Sequence, residues 1–169
     1  MQYLLCTIGF AGKTAQELFA LLEEAGVEQF IDIRQHRGGQ LSGYAKHPDL
    51  TYFLEKISRI AYVYEPLLAS TPELLKSCRK TKDWPVYETG FLALINNRGV
   101  PRSVDTASWP SNLALLCSEP GPEKCHRRLV ADLFASRWRS EGHSVEIRHP
   151  ISARAKPGKP RHKKRGAAP

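Results

Sequence analysis

No stretch of this 169-residue chain comes near the roughly 18–20 consecutive apolar residues that a membrane-spanning helix needs, so no membrane span is expected. The opening residues, MQYLLCTIGFAGKT, have neither a basic n-region nor a small-residue cleavage site. They read as a first strand rather than a secretory leader. Cysteine is scarce, and none of the four (Cys6, Cys78, Cys117, Cys125) stands in a C-x-x-C pair, the spacing of a zinc knuckle. With no sign of export, reduced thiols in a cytoplasm are expected rather than disulfides. There is no internal repeat. There is also no interleaving of aromatic and basic residues of the kind that stacks single-stranded bases.

Acid is missing from one place in particular. Residues 151–169 hold seven cations (Arg154, Lys156, Lys159, Arg161, Lys163, Lys164 and Arg165) and no Asp or Glu. Of the 25 Lys and Arg in the chain, 18 are therefore left to face all 17 acids in residues 1–150. The formal charge of +8 belongs to the tail, and the body is close to neutral. The tail is rich in Pro, Gly and Lys/Arg and poor in large apolar side chains. It cannot bury enough surface to offset its ordering entropy, so it is expected to be disordered. Its charge suits nucleic acid, and equally a solubilising role.

What remains alternates strand and helix signals. YLLCTIGF reads as a strand. TAQELFALLEEAG reads as a helix with Leu18, Leu21, Leu22 and Ala25 at helical spacing. Thr14 and Glu17 form a capping box, and Gly26 marks the stop. EQFIDIR is a second strand, and PDLTYFLEKISRI a helix with Leu50, Phe53, Leu54 and Ile57 on one face. AYVYEPL is a third strand. Two helical pieces follow, TPELLKSCRK and DWPVYETGFLALINNRG, the second with Tyr87, Phe91, Leu94 and Ile95 on one face. NLALLCSE is a strongly apolar strand, EKCHRRLVADLFASRWRSEG a long helix and SVEIRHP a last strand. Strands separated by helices predict right-handed crossovers. The expected fold is a single-domain α/β three-layer sandwich over 1–150, with about five mostly parallel strands and helices on both faces. The loop 99–112 reads only as a connection, in which Trp109 either caps the core or touches a ligand.

In such sheets ligands bind outside the carboxyl ends of the strands. Four polar groups fall there: Thr7 to Gly9, Asp32 with Arg34, Glu65, and Cys117 to Glu119. The segment CSEPGPEKCHR, 117–127, concentrates the chemistry. Pro122 suits a first helical turn. Placed in that turn, His126 points toward the core, with Cys125 and Arg127 a quarter-turn or more to either side. A helix N-terminus and an arginine together attract anions, and the same field lowers a thiol's pKa. Cys125 is then a candidate nucleophile, His126 an acid or base, and Glu119 its orienter or a second proton carrier. Thr7, Gly9, Arg34 and Arg127 are candidate ligand-binding residues, and Asp32 a further candidate for the chemistry. The loop 35–47, with three glycines, Lys46 and His47, is a candidate lid. Plainer readings stand beside these. Cys125 can be a quiet thiol, His126 can bond a loop carbonyl, Cys117 can be core, Asp32 and Arg34 can be a local ion pair, and Cys6 and Cys78 can be structural. No metal site is expected, because adjacent helical residues diverge by about 100°, which keeps Cys125 and His126 from sharing an ion.

TIGF after the first strand, DIR after the second and LLCSEPGPEKCHR opening a long helix together resemble the bacterial and archaeal proteins grouped as domain-of-unknown-function family 488. LASTPELLKSCRKTKDWPVYETGFLALI is similar to that family's longer branch. The resemblance covers roughly residues 2–150 and implies a small cytoplasmic α/β domain. It carries Asp32 and Arg34 onto the D-x-R motif, and Cys117, Glu119, Cys125, His126 and Arg127 onto the signature motif. LLAS stands where many members have a Leu-Gly-Gly turn, and QHRGGQLSGYAKH where many have an Arg/Ser-rich loop with proline. The resemblance names no reaction and no cofactor. The expected partner is a phosphorylated or nucleotide-like small molecule at the strand ends. The alternatives are a nucleic-acid-associated protein using the tail, or a thiol redox or metal module built on Cys117 and Cys125.

Overall fold

The computed structural model describes residues 1–38 and 42–151. The expected disordered tail lies outside the described residues, apart from Ile151. The strands are β1 (Gln2–Gly9), β2 (Gln29–Asp32), β3 (Ala61–Tyr64), β4 (Asn112–Cys117) and β5 (Ser144–Arg148). They form one sheet in the order β3-β2-β4-β1-β5, with every pairing parallel. The helices are α1 (Ala15–Glu24), α2 (Asp49–Phe53), α3 (Pro72–Thr81), α4 (Trp84–Asn97) and α5 (His126–Ser140). Among the described residues no helix is long and apolar enough to cross a membrane.

The two-residue period of the strands sorts the core into two layers. Cys6, Ile8, Phe30, Ala114 and Leu116 face Leu18, Phe19 and Leu22 of α1, Leu50 of α2 and Leu54 just after it. Leu5, Ile31, Ile33, Leu113 and Leu115 face Tyr87, Phe91 and Ile95 of α4 and Leu129, Val130 and Phe134 of α5. Both faces are covered, which is why the strands read as continuous apolar runs rather than alternating ones. Trp109 is the cap of this second layer, packed against Phe134 and Trp138 at ring-centroid distances of 5.2 and 6.3 Å.

The capping box at α1 forms as expected. Thr14 Oγ1 accepts from the Glu17 amide at 3.2 Å, and Glu17 Oε2 accepts from the Thr14 amide at 2.8 Å. Replacing Thr14 with Ala leaves the Glu17 amide to water, while the backbone amide of residue 14 keeps its bond to Glu17. The expected cost is about 1 kcal/mol, read from the shift in urea midpoint at constant slope.

Two local readings need correction. Ile57 was expected on the buried face after α2, yet it is 56% exposed. A π turn at Leu54–Ser58 widens the helix there and rotates Ile57 off the face that Leu50 and Leu54 hold. The last helix was expected to begin before Cys125. It begins at His126, and Cys125 is its N-cap with extended backbone (φ −142°, ψ 136°). Pro122 thus lies in a turn before the helix rather than in its first turn.

Candidate functional site

β2 and β4 are neighbours, so the chain that leaves each of them emerges side by side. Arg34 follows β2 and Cys117 ends β4, while α3 and α4 close over this edge from one side. Between them lies a pocket of about 130 Å³. Cys117, Cys125 and His126 line it, as do Arg34, Glu119 and Lys124. Leu75, Cys78 and Arg79 of α3 and Trp84 and Tyr87 of α4 form the opposite wall, and Gln35 and His36 complete the lip. A shallower open depression continues from the lip past Arg37, His47 and Tyr64, where the Arg37 guanidinium sits 3.8 Å over the Tyr64 ring.

The sulfurs of Cys117 and Cys125 and a ring nitrogen of His126 lie within 4.8 Å of one another, and all three residues are buried. His126 packs against the Phe91 ring at 5.0 Å. Its Nε2 lies 3.1 Å from the carbonyl oxygen of Ile33. A carbonyl only accepts, so Nε2 carries a proton, while the Cys117 sulfur lies beside the ring at nearly equal distances from the two nitrogens, 3.8 Å from Nδ1 and 4.0 Å from Nε2. The two thiols are not equivalent. The Cys117 thiol is held below its ordinary pKa by a hydrogen bond from Cys125, against the opposing effect of burial, with further help from the amides of Ser118 and Glu119 and the charge of Arg127. The Cys125 thiol is pushed well above its ordinary value, because it donates to Cys117 and is itself buried. The negative charge therefore belongs on Cys117. The sequence offered core packing for Cys117 and either a nucleophile or a quiet thiol for Cys125; here both thiols are buried beside His126, which partly offsets the rise at Cys125.

Of the other residues singled out in the sequence, Arg34 and Glu119 reach the pocket wall, whereas Asp32, Thr7, Gly9 and Arg127 do not line it. Asp32 is wholly buried. It accepts from Arg34 Nε at 2.8 Å and Nη2 at 2.7 Å, and from Tyr62 Oη at 2.8 Å. Arg34 Nη1 donates to the Ala45 carbonyl at 2.8 Å, which ties the end of β2 to the returning part of the 35–47 loop. Residues 39–41 of that candidate lid lie outside the described residues. Thr7 Oγ1 is bonded to His149 Nδ1 at 2.7 Å. Arg127, only 1% exposed, donates from Nη1 to the Glu119 carbonyl at 2.7 Å, and its Nε has no partner among the described residues. Glu65 accepts from the Leu67 amide at 3.1 Å, capping a short 3-10 turn.

Sequence reasoning missed Cys78, Trp84, Tyr87 and Lys124. Cys78 follows Leu74 and Leu75 at helical spacing, and that signal places it on the inner face of α3. Its thiol is raised, by burial first and then by Glu119. The objection to a shared ion also falls. It assumed that Cys125 was helical, whereas its extended backbone lets its sulfur converge with that of Cys117.

A family model described as a domain of unknown function, DUF488, matches residues 14–134, a span that includes every residue lining the pocket. No curated protein and no solved structure matches the chain.

Proposed function

The chain belongs to the DUF488 family, a domain of unknown function, and on that premise we propose that its pocket binds a small anionic molecule which Cys117 attacks. One observation supports this reading: the Cys117 sulfur stands 3.8 Å from His126 Nδ1, and the Ile33 carbonyl accepts from the other nitrogen of that ring and holds it in place. That is the arrangement nucleophilic catalysis needs. His126 takes the Cys117 proton as the sulfur bonds to an electrophilic centre, the bond from that centre to the leaving group breaks, and the leaving group departs toward the mouth with the proton that His126 returns to it. Arg79, Lys124 and His36 put cationic or polar groups on the walls, and Trp84 and Leu75 offer an apolar surface. A space of about 130 Å³ is below the several hundred Å³ of most enclosed small-molecule sites. The ligand is thus smaller than a nucleotide, or it places only its reactive end in the pocket and lies along the depression beside Tyr64.

The test uses metal-free protein carrying Cys78→Ser, which removes the more exposed thiol of the wall. It is treated at neutral pH with less than one equivalent of iodoacetamide, and the modified peptide is identified by mass spectrometry. The adduct is expected on Cys117, and His126→Ala is expected to slow its formation roughly a hundredfold. Preferential labelling of Cys125, or an unchanged rate in the His126 variant, would sink the proposal.

A further inference from the structure

We infer that Cys117, Cys125 and His126 form a site for a thiophilic cation, Zn²⁺ being the ion the donors fit, with the fourth coordination position open to the pocket. In tetrahedral zinc coordination, metal–sulfur bonds of about 2.3 Å and metal–nitrogen bonds of about 2.0–2.1 Å put neighbouring ligands about 3.6 Å (S to N) and 3.8 Å (S to S) apart. Cys117 Sγ and His126 Nδ1 are already 3.8 Å apart, and the three donor atoms are mutually within 4.8 Å. A cation drawn into their centre requires the His126 ring to turn its Nδ1 toward the sulfurs, because the Cys117 sulfur now stands at similar distances from both ring nitrogens.

The surroundings argue the same way. A metal-bound histidine characteristically gives its other ring N–H to a carbonyl or carboxylate, which fixes the tautomer and aims the lone pair. The Ile33 carbonyl, 3.1 Å from His126 Nε2, fixes the tautomer in this way and leaves Nδ1 available to a cation. Two thiolates with one divalent cation make a neutral unit. Burying that unit costs far less than burying the thiolates alone. Three protein ligands facing a pocket match the open pattern of reactive zinc sites rather than the closed four-ligand pattern of structural ones. Cys78 also lines the pocket, but it lies outside the cluster of three.

A cation bound to the Cys117 sulfur draws electron density from it, so occupancy slows its alkylation. That consequence rests on the function proposed above, but the cation site itself does not. The experiment titrates reduced, metal-free, full-length protein with CoCl₂ and then ZnCl₂. Expected are one Co²⁺ per chain, thiolate-to-cobalt absorption in the near ultraviolet, tetrahedral bands in the visible, and loss of both on adding one equivalent of Zn²⁺. Cys117→Ser and Cys125→Ser should each lower the thiolate band by about half, one of two metal–sulfur bonds being gone. His126→Gln should keep the band and weaken binding by more than about tenfold, the loss that even supporting residues of such sites produce. Cys78→Ser should leave the spectrum unchanged.

A wild-type spectrum without thiolate-to-cobalt absorption overturns the inference, and it does so without depending on how any variant folds. The same band surviving in the Cys117→Ser, Cys125→Ser double variant also overturns it. Iodoacetamide labelling of the metal-free protein separates the two proposals. Labelling elsewhere with a normal cobalt spectrum removes the nucleophile and keeps the cation site. Labelling at Cys117 with no cobalt spectrum does the reverse.

Discussion

Asp32→Ala is expected to cost about 3–5 kcal/mol of folding stability, the range for removing one partner of a buried ion pair. The size follows from what is left behind rather than from what is removed. Asp32 is 0% exposed and Arg34 4% exposed. The carboxylate takes two of the Arg34 nitrogens, the Arg34 amide at 3.0 Å and the Tyr62 hydroxyl. Without it, a guanidinium at the buried end of β2 keeps only the Ala45 carbonyl and the Phe10 ring, 5.3 Å away. Removing both charges together should be much milder. Asp32→Ala with Arg34→Met is expected to recover a large part of the loss, because no unpaired charge remains. Urea unfolding of the wild type, both single variants and the double variant closes the cycle. A loss below about 1 kcal/mol for Asp32→Ala would instead equate the pair with an exposed surface bridge.

That pair also changes the reading of the D-x-R element. Arg34 contributes a surface to the pocket, but most of its hydrogen-bonding capacity is committed to Asp32 and Ala45. It is a positioning residue that fixes the chain after β2, and with it the Ile33 carbonyl on which His126 depends. Asp32 acts one step further back. The plainer of the two sequence readings, a local ion pair, describes the contacts, while the residues' place at a strand end ties them to the site.

Much of the fold was legible because its signals are local. Apolar runs bounded by glycine and polar residues marked the five strands, and 3.6-residue spacing marked the helices. Thr14 and Glu17 marked the start of α1 without reference to anything distant. The site was legible to the level of which segment carries it, since strand ends in a parallel sheet converge wherever the chain goes next. Two things were not legible. The conformation of Pro122 to Cys125 decides where the Cys125 sulfur sits relative to Cys117, and it follows the 118–120 loop, which packs over Gly9, more than a hundred residues away in the chain. The wall from Cys78 to Tyr87 depends on how two helices with their own caps at Thr71 and Asp83 stack over the edge of the sheet. Neither leaves a periodic trace. Ile57 shows the same limit at smaller scale. Its spacing is helical, and only a π turn removes it from the face.

Gly9→Ala is expected to destabilise the protein by about 3 kcal/mol, the upper part of the usual range for overpacking, and to disturb Cys117 with it. Gly9 pairs with Cys117 in the β1–β4 ladder. Two residues past Gly9, the chain continues the interlock, with the Ala11 amide donating to the Ser118 carbonyl at 3.0 Å. A methyl group at Gly9 would overlap the Glu119 carbonyl oxygen and stand 2.9 Å from Arg127 Nη1. The first of these is backbone and has no rotamer to change. The carbonyl must move, and it is the acceptor for Arg127 Nη1. Its own residue's amide, with that of Ser118, favours the Cys117 thiolate. The expected outcome is thus a lower urea midpoint together with slower iodoacetamide labelling of Cys117. Gly12→Ala is the control. Gly12 has φ +76° and open space where a methyl would go, so that change costs only the left-handed backbone preference, about 1 kcal/mol, with Cys117 labelling unchanged. Equal losses for the two variants would mean that the loop yields freely. The cradle around Cys117 would then be set by the start of α5 alone, rather than by the strand beside it.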